Sequence, residues 1–504
     1  MGVPGYYKYI ITNFPSCVKK DNTFLNQPYL FFDYNGVIHS IVNDLLKVFE
    51  EVDISQDEFI KHVCQGTIEY TDRIIKYIHP QFVYIAMDGV APRAKMTQQR
   101  LRRFKSAKER DISKFDRNCI SPGTDFMLTL EQNINEYISN QMPTYVKKTI
   151  FSSTANPGEG EHCIMDYIKK ECKNKERQLI IYGLDADLIL LSMATLFPKI
   201  YLLREVQFFE RNYIENLDIK LLQFNFLCID NLKLSMIKDI ERNYHIRIKN
   251  PNSFIKDWVF MSFFLGNDFL PHLKALDIYN NGVKLLLKTY CDFLKKTKQT
   301  INDYLIRPGN TVNMYFIRKI FNKFDKNEEN YIIENIKHYK HKRISLNDYP
   351  IRYCYKGWKN RYYDYFYKTH SQQYIQKVVK DYFKTVIWTK DYYFKGCPCW
   401  RHFYKYHGVL FHSMNEFLQN NDLNLIQFEK TEPYTSLQQL MMILPSKSRH
   451  ILPEEFQNLM TDPESELIEF YPIDFELHTM DKIRDWMYEP ILPYIDDKLL
   501  LKYI

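Results

Sequence analysis

Between the first residues and about position 290, short apolar runs alternate with amphipathic stretches, and no other feature of the 504 residues constrains the fold as tightly. Tyr29–Phe32, Phe82–Met87, Thr149–Phe151, Leu179–Tyr182 and Ile200–Leu203 are brief and rich in aromatic and β-branched residues. Runs of that kind read as strands buried on both faces. The stretches 36–51, 57–78, 93–112 and 161–174 carry apolar residues at helical spacing. This alternation predicts an α/β fold, with a mainly parallel sheet flanked by helices and a ligand site beyond the carboxyl ends of the strands. Residues 291–350, richer in Lys, Asn and Asp, read as a connecting region, partly helical. From 351 a second section begins, dense in Trp, Tyr and Phe and closing on a Pro-punctuated acidic tail at 445–504. The expected divisions are therefore 1–290, 291–350 and 351–504.

Several of the expected strands end in an acid. Asp33 follows Leu30-Phe31-Phe32, Asp88 follows Ile85-Ala86-Met87, and Asp185 and Asp187 follow Ile180-Ile181-Tyr182-Gly183-Leu184. Glu159 and Glu161 lie in Asn156-Pro157-Gly158-Glu159-Gly160-Glu161-His162, a turn that opens a helix. Asp268 sits in Leu265-Gly266-Asn267-Asp268-Phe269, after an apolar helical run. Taken singly, each reads as a helix cap or a loop residue, since Asp is common just after strands. In a doubly wound fold they converge on one sheet edge, where crowded carboxylates cannot all stay ionised without cations. Glycines beside them permit close approach of backbone to a ligand. Jointly they predict a site for two Mg²⁺ ions, because Mg²⁺ takes a few carboxylates together with water and phosphate oxygens. Metals about 4 Å apart promote in-line attack at a phosphodiester.

Residues 93–110 are strongly basic, and Lys95, Gln99, Arg102 and Arg103 share one helix face. Such a face is either a solvated charge run or a pocket for a terminal phosphate, whose oxygens suit arginine forks. Its place just after Asp88 favours the pocket. Net charge is only +7, so a nucleic-acid footprint has to be local. The ten cysteines show neither C-x-x-C pairs nor zinc spacing and are expected to be reduced thiols. Without a signal-peptide core or 18 consecutive apolar residues, the chain is expected to be soluble, intracellular and free of membranes.

Longer motifs narrow the reading. They are Met1-Gly2-Val3-Pro4, Phe32-Asp33-Tyr34-Asn35-Gly36-Val37-Ile38-His39, Met87-Asp88-Gly89-Val90-Ala91-Pro92-Arg93-Ala94-Lys95-Met96 and Phe115-Asp116-Arg117-Asn118-Cys119-Ile120-Ser121-Pro122-Gly123-Thr124. Pro157–His162, Tyr182–Leu188 and Gly266–His272 follow, and then Gly396–Trp400, Tyr404–His407, Ile443–Ser448 and Met460–Pro463. In order and approximate spacing this set resembles the Xrn-type 5′→3′ exoribonucleases. The resemblance implies a nuclease core akin to flap endonucleases and PIN domains, with a largely helical second core region. It implies two Mg²⁺ ions, with Mn²⁺ able to substitute, and a catalytic, metal-binding set of Asp33, Asp88, Glu159, Glu161, Asp185, Asp187 and Asp268. It also implies a 5′-monophosphate pocket at Lys95, Gln99, Arg102 and Arg103. His39 and Trp400 would stack the first bases, with Trp388 as the alternative tryptophan and a core anchor as the alternative role for Trp400.

The implied activity is processive 5′→3′ hydrolysis of 5′-monophosphorylated single-stranded RNA to nucleoside 5′-monophosphates in RNA decay. A monomer is expected, cytoplasmic rather than nuclear, with the decapping machinery as a candidate partner and a virus-encoded protein acting in host cytoplasm as a variant. The long C-terminal extension of cytoplasmic members and the zinc-knuckle insertion of some nuclear members have no counterpart in the sequence. Two other readings share the acids: a flap-type DNA 5′ nuclease and an inactive RNA-binding scaffold. The Asp116–Thr124 and Trp400 regions argue against the first, and the full set of seven acids argues against the second.

Overall fold

The computed structural model describes residues 5–50, 52, 54–109, 115–205, 223–338, 349–480 and 487–504. The Met1-Gly2-Val3-Pro4 motif lies outside them, as do the parts of expected elements at 51, 110–112 and 339–348. Seven strands form one sheet: β1 (Val18–Lys19), β2 (Tyr29–Asp33), β3 (Phe82–Ala86), β4 (Lys148–Ser152), β5 (Leu179–Tyr182), β6 (Ile200–Glu205) and β7 (Phe224–Cys228). Their order is β1-β7-β6-β5-β2-β3-β4. β2 to β6 are parallel, and Phe32 is level with Ile85 on one side and Tyr182 on the other. β7 and β1 extend the β6 edge in antiparallel fashion. These two are not legible in the sequence. Val18–Lys19 is too short to show a period, and Phe224–Cys228 merges into the apolar start of the helix Ile229–Tyr244.

Side chains alternate across the sheet, as a period of two requires. Leu30, Phe32, Val83, Ile85, Ile180 and Tyr182 face one layer, where the helices Tyr34–Val48, Gln56–Ile78 and Asp125–Asn140 cover them. Phe31, Phe82, Tyr84, Leu179 and Ile181 face a second and larger layer. On the helix Tyr34–Val48, the buried residues Tyr34, Val37, Ile38, Ile41 and Val42 make the apolar stripe that docks it.

The stretch expected to connect two sections contributes to that second layer. Its helix Met314–Asp325 buries Phe316, Ile317, Ile320, Phe321 and Phe324 while its polar residues face outward. The Asp257 carboxylate fixes the turn that leads there. It accepts the backbone N–H of Leu305 and of Ile306, both at 2.6 Å, and the Tyr290 hydroxyl at 2.7 Å. The helices Trp358–Tyr367, Gln372–Phe394 and Phe411–Asn420 join the same apolar cluster, so residues on both sides of 291–350 share one core. A third cluster wraps the helix Arg93–Glu109: Val90, Met96 and Phe104 pack against Leu440, Met442, Phe470 and Leu500. All ten cysteines are free thiols. No helix among the described residues is long and apolar enough to cross a membrane.

Burial pushes the Asp257 carboxyl up to about 7. Its folded value thus lies above the unfolded value of about 4. The contribution of this titration to stability is therefore full below pH ~4 and lost as the pH rises through 7. Asp257→Asn leaves buried backbone N–H groups poorly satisfied and is expected to cost ~3 kcal/mol in denaturant unfolding at pH 5. The gap from the parent protein should narrow by pH 8; a gap that widens would contradict the assignment.

Candidate active site

The chain runs from β2 outward to β3 and β4, then returns to the other side of β2 for β5 and β6. The crevice beyond the ends of β2 and β5 is thus a topological switch point, the usual ligand site of an open parallel sheet. Asp33 is the last residue of β2, and Asp88 stands two residues beyond β3. Glu159 and Glu161 open the helix Gly160–Glu171 after β4, and Asp187 opens the helix Asp187–Ala194 after β5. Two loops close on each other here. The Asp88 Oδ1 accepts the Gly160 N–H at 2.7 Å, Gly89 N–H donates to Gly158 O and Gly158 N–H to Val90 O, both at 2.9 Å. A side chain at Gly160 would sit 2.8 Å from the Ala86 carbonyl, which is why glycine stands between the two glutamates.

The structure brings the predicted acids together. Ligand atoms of Glu161, Asp185 and Asp187 lie within 4.8 Å of one another, and so do those of Glu159, Glu161 and His162. Asp33, Glu159, Glu161 and Asp187 are buried. Burial, with Asp88, Asp185 and Asp187 close by, drives the Asp33 carboxyl well above the carboxylate range. Burial and the charges of Asp187 and Glu159 do the same to Glu161. Asp88 and Asp187 are each pushed up to about 6, burial again being the main cause. Lys95 is the counterweight. Its Nζ lies 2.5 Å from Glu159 Oε2 and 2.8 Å from Asp268 Oδ2. Burial would raise Asp268, but that ammonium holds its carboxyl below the usual range. Glu161 Oε2 and Asp187 Oδ1 are buried without a hydrogen-bond partner. Buried carboxylate oxygens with nothing to accept from fit a divalent cation, a hard ion that takes oxygen ligands.

The basic helix Arg93–Glu109 is deeply embedded, with Arg93, Lys95, Gln99, Arg100 and Arg103 buried. Lys95 pairs with Glu159 and Asp268. Gln99 is buried with its Oε1 unpartnered, and Arg102 is exposed. Arg103 is buried and donates to Asn118 O at 3.2 Å and Ile120 O at 3.4 Å, so the Asp116–Thr124 motif holds it from below. The opposite face serves packing. Arg100 donates to the carbonyls of Met442 and Phe470, and Arg93 donates to Ile495 O and pairs with Asp497. These arginines anchor the segments around Met442, Phe470 and Ile495; their charges are not part of a solvated run.

His39, on the helix Tyr34–Val48, is half-buried. Burial, reinforced by Arg102, Arg103 and Arg117, pushes its imidazole down to about 3, so it is neutral near pH 7. Trp388 is fully buried, its indole N–H donates to Cys399 O at 2.8 Å, and its ring packs on Phe269 and Tyr392. Trp400 is half-buried, and its carbonyl accepts the N–H of Arg93 at the start of the basic helix. Of the two tryptophans, Trp400 is the one with exposed surface. Tyr392 is a residue the sequence did not single out. From the helix Gln372–Phe394 its hydroxyl donates to Glu159 Oε1 at 2.9 Å, and no local motif marks it.

A family model described as the XRN 5′-3′ exonuclease N-terminus matches residues 1–114 and 109–206. A second, the Xrn1 helical domain, matches residues 249–349 and 335–504. The chain belongs to the XRN 5′-3′ exonuclease family. It is 30% identical to the human 5′-3′ exoribonuclease 1 across 100% of this chain and 34% of that protein. It is 28% identical to the 5′-3′ exoribonuclease 2 homolog of Drosophila melanogaster, over 100% of this chain and 70% of the relative. Against the Arabidopsis thaliana 5′-3′ exoribonuclease 2 the figures are 27%, 100% and 67%. The chain therefore spans about a third of the human relative and about two thirds of the fly and plant ones. Within this family fold, the seven acids and the basic helix occupy the switch point of the sheet.

Crowded like charges give a measurable consequence. In chelator at pH 7.5, Asp187→Asn removes one repelling buried carboxylate and is expected to raise the melting temperature by about 2 °C. Added Mn²⁺ should then stabilise the parent protein more than the variant. A lower melting temperature for Asp187→Asn in chelator would show that the cluster is not strained by charge.

Proposed function

We propose that this protein is a 5′→3′ exoribonuclease that hydrolyses 5′-monophosphorylated single-stranded RNA processively to nucleoside 5′-monophosphates in RNA decay. The observation that carries the reading is the joining of two features in a family fold: a buried carboxylate cluster with unpartnered oxygens, and a basic helix whose first turns border it. Glu161, Asp185 and Asp187, with Asp33, Asp88, Glu159 and Asp268 around them, would hold two Mg²⁺ ions. When bound, such ions supply activation of water and stabilisation of the leaving oxygen.

The chain's own residues supply position and exclusion. Arg102 is exposed beside the acids and offers a guanidinium fork to a terminal phosphate. Gln99 lies one turn earlier, and Lys95 brings an ammonium to the boundary between that pocket and the cluster. A monophosphate suits a pocket with these few donors, whereas a cap or triphosphate adds bulk and charge. Neutral His39 and Trp400 are candidates to stack successive bases, and stacking tolerates every base, as processive digestion requires. Action in the cytoplasm as a monomer, with decapping factors supplying monophosphate ends, completes the proposal.

The test is digestion of 3′-labelled RNA or DNA carrying a 5′-monophosphate, triphosphate or hydroxyl, in Mg²⁺. Monophosphorylated RNA should disappear with release of mononucleotides. Asp185→Asn combined with Asp187→Asn should slow it by at least ~100-fold, about 2.7 kcal/mol. Lys95→Ala combined with Arg102→Ala should erase about tenfold or more of the preference for monophosphate over hydroxyl ends. Cleavage confined to branched DNA would refute the assignment.

A further inference from the structure

Glu159 has both carboxylate oxygens engaged, and by groups from different parts of the chain. Oε2 faces the Lys95 ammonium, and Oε1 accepts the Tyr392 hydroxyl at 2.9 Å. Tyr392 is buried in the helix Gln372–Phe394, within the second section. Its ring is clamped by residues next to the acids themselves. His162, which follows Glu161, stacks on it at 3.7 Å and 23°, and Phe269, which follows Asp268, meets it at 5.6 Å and 77°. Trp388, one turn earlier on the same helix, stacks at 4.8 Å and 29°.

The clamp needs a six-membered ring but no hydroxyl. Phenylalanine would keep the stack, so the oxygen must be accounted for separately. A buried tyrosine hydroxyl usually finds some partner, and a backbone carbonyl would have satisfied it, as His407 O satisfies Tyr404. Here the partner is a carboxylate that groups with Glu161 and His162 within ligand-atom distances of 4.8 Å. Groups that orient a metal's carboxylate ligands from behind set the affinity of the site. We propose that Tyr392 is a positioning residue: its hydroxyl fixes the Glu159 carboxylate against rotation and so sets the affinity of the acid cluster for a divalent cation. The second section thereby completes the acid site and does more than pack beside it. This inference rests on the reading of the acids as a metal site.

The test is a Mn²⁺ titration of RNA-free protein, followed by electron paramagnetic resonance, for the parent chain, Tyr392→Phe and Tyr404→Phe. Circular dichroism and melting temperature confirm that each variant is folded. Tyr392→Phe should bind Mn²⁺ about tenfold more weakly, and its Mg²⁺ requirement in RNA digestion should rise by a similar factor. Tyr404→Phe, which loses a buried hydroxyl away from the acids, should titrate like the parent. If the parent binds Mn²⁺ and Tyr392→Phe binds it equally well, the positioning role is refuted while the metal site stands. If the parent binds none, the metal reading fails and the role of Tyr392 falls with it.

Discussion

Burying Glu159, Glu161 and Asp187 at the ends of parallel strands sets like charges where water screens them little, and the fold has to be arranged around that repulsion. Three devices share the load. Burial drives the carboxyls of Asp33, Glu161, Asp88 and Asp187 upward and so eases their protonation. The Lys95 ammonium lies between Glu159 and Asp268. Hydrogen bonds from Gly160 N–H and from the Tyr392 hydroxyl take up further oxygens. Glu161 Oε2 and Asp187 Oδ1 are left over, and a divalent cation is the partner they fit.

That arrangement explains why the second section cannot be treated as an appendage. The basic helix begins at the acids and runs outward between the two parts of the chain. One face carries Lys95 toward the acids and Arg103 toward the carbonyls of Asn118 and Ile120. The other inserts Arg93 and Arg100 among carbonyls of residues 442–495. Arginine suits this role because its several donors satisfy carbonyls that would otherwise be buried unpaired, while its plane packs on Phe104, Phe403 and Tyr471. Membership of the XRN family, matched over both sections, agrees with a site drawn from both.

Much of this was legible in the sequence because the relevant signals are local. Each parallel strand is a short apolar run, and most of the acids follow such a run within a few residues, so strand positions and acids could be read together. What was not legible depends on distant partners. Lys95 shares a helix face with Arg102 and Arg103, but its pairing with Glu159 and Asp268 is not visible there, because only the folded chain supplies the positions of those carboxylates. The hydrogen bonds from Arg103 to the carbonyls of Asn118 and Ile120 are likewise absent from any local pattern. Trp388 and Trp400 look alike in sequence, and burial alone separates them. The Lys- and Asn-rich composition of 291–350 hid the apolar stripe of Met314–Asp325, because the polar residues occupy its outer face. Tyr392 is one tyrosine among 39, with nothing nearby to mark it.

A cation held among the switch-point acids, in a site closed by residues from both sections, would be directly visible. Crystals of the protein grown in chelator and then exchanged into Mn²⁺, measured at the manganese absorption edge, test it most directly. Anomalous density is expected among Glu161, Asp185 and Asp187, with Tyr392 still on Glu159. Ordered Mn²⁺ confined to other places, with the acid cluster unchanged from the chelator form, would contradict it.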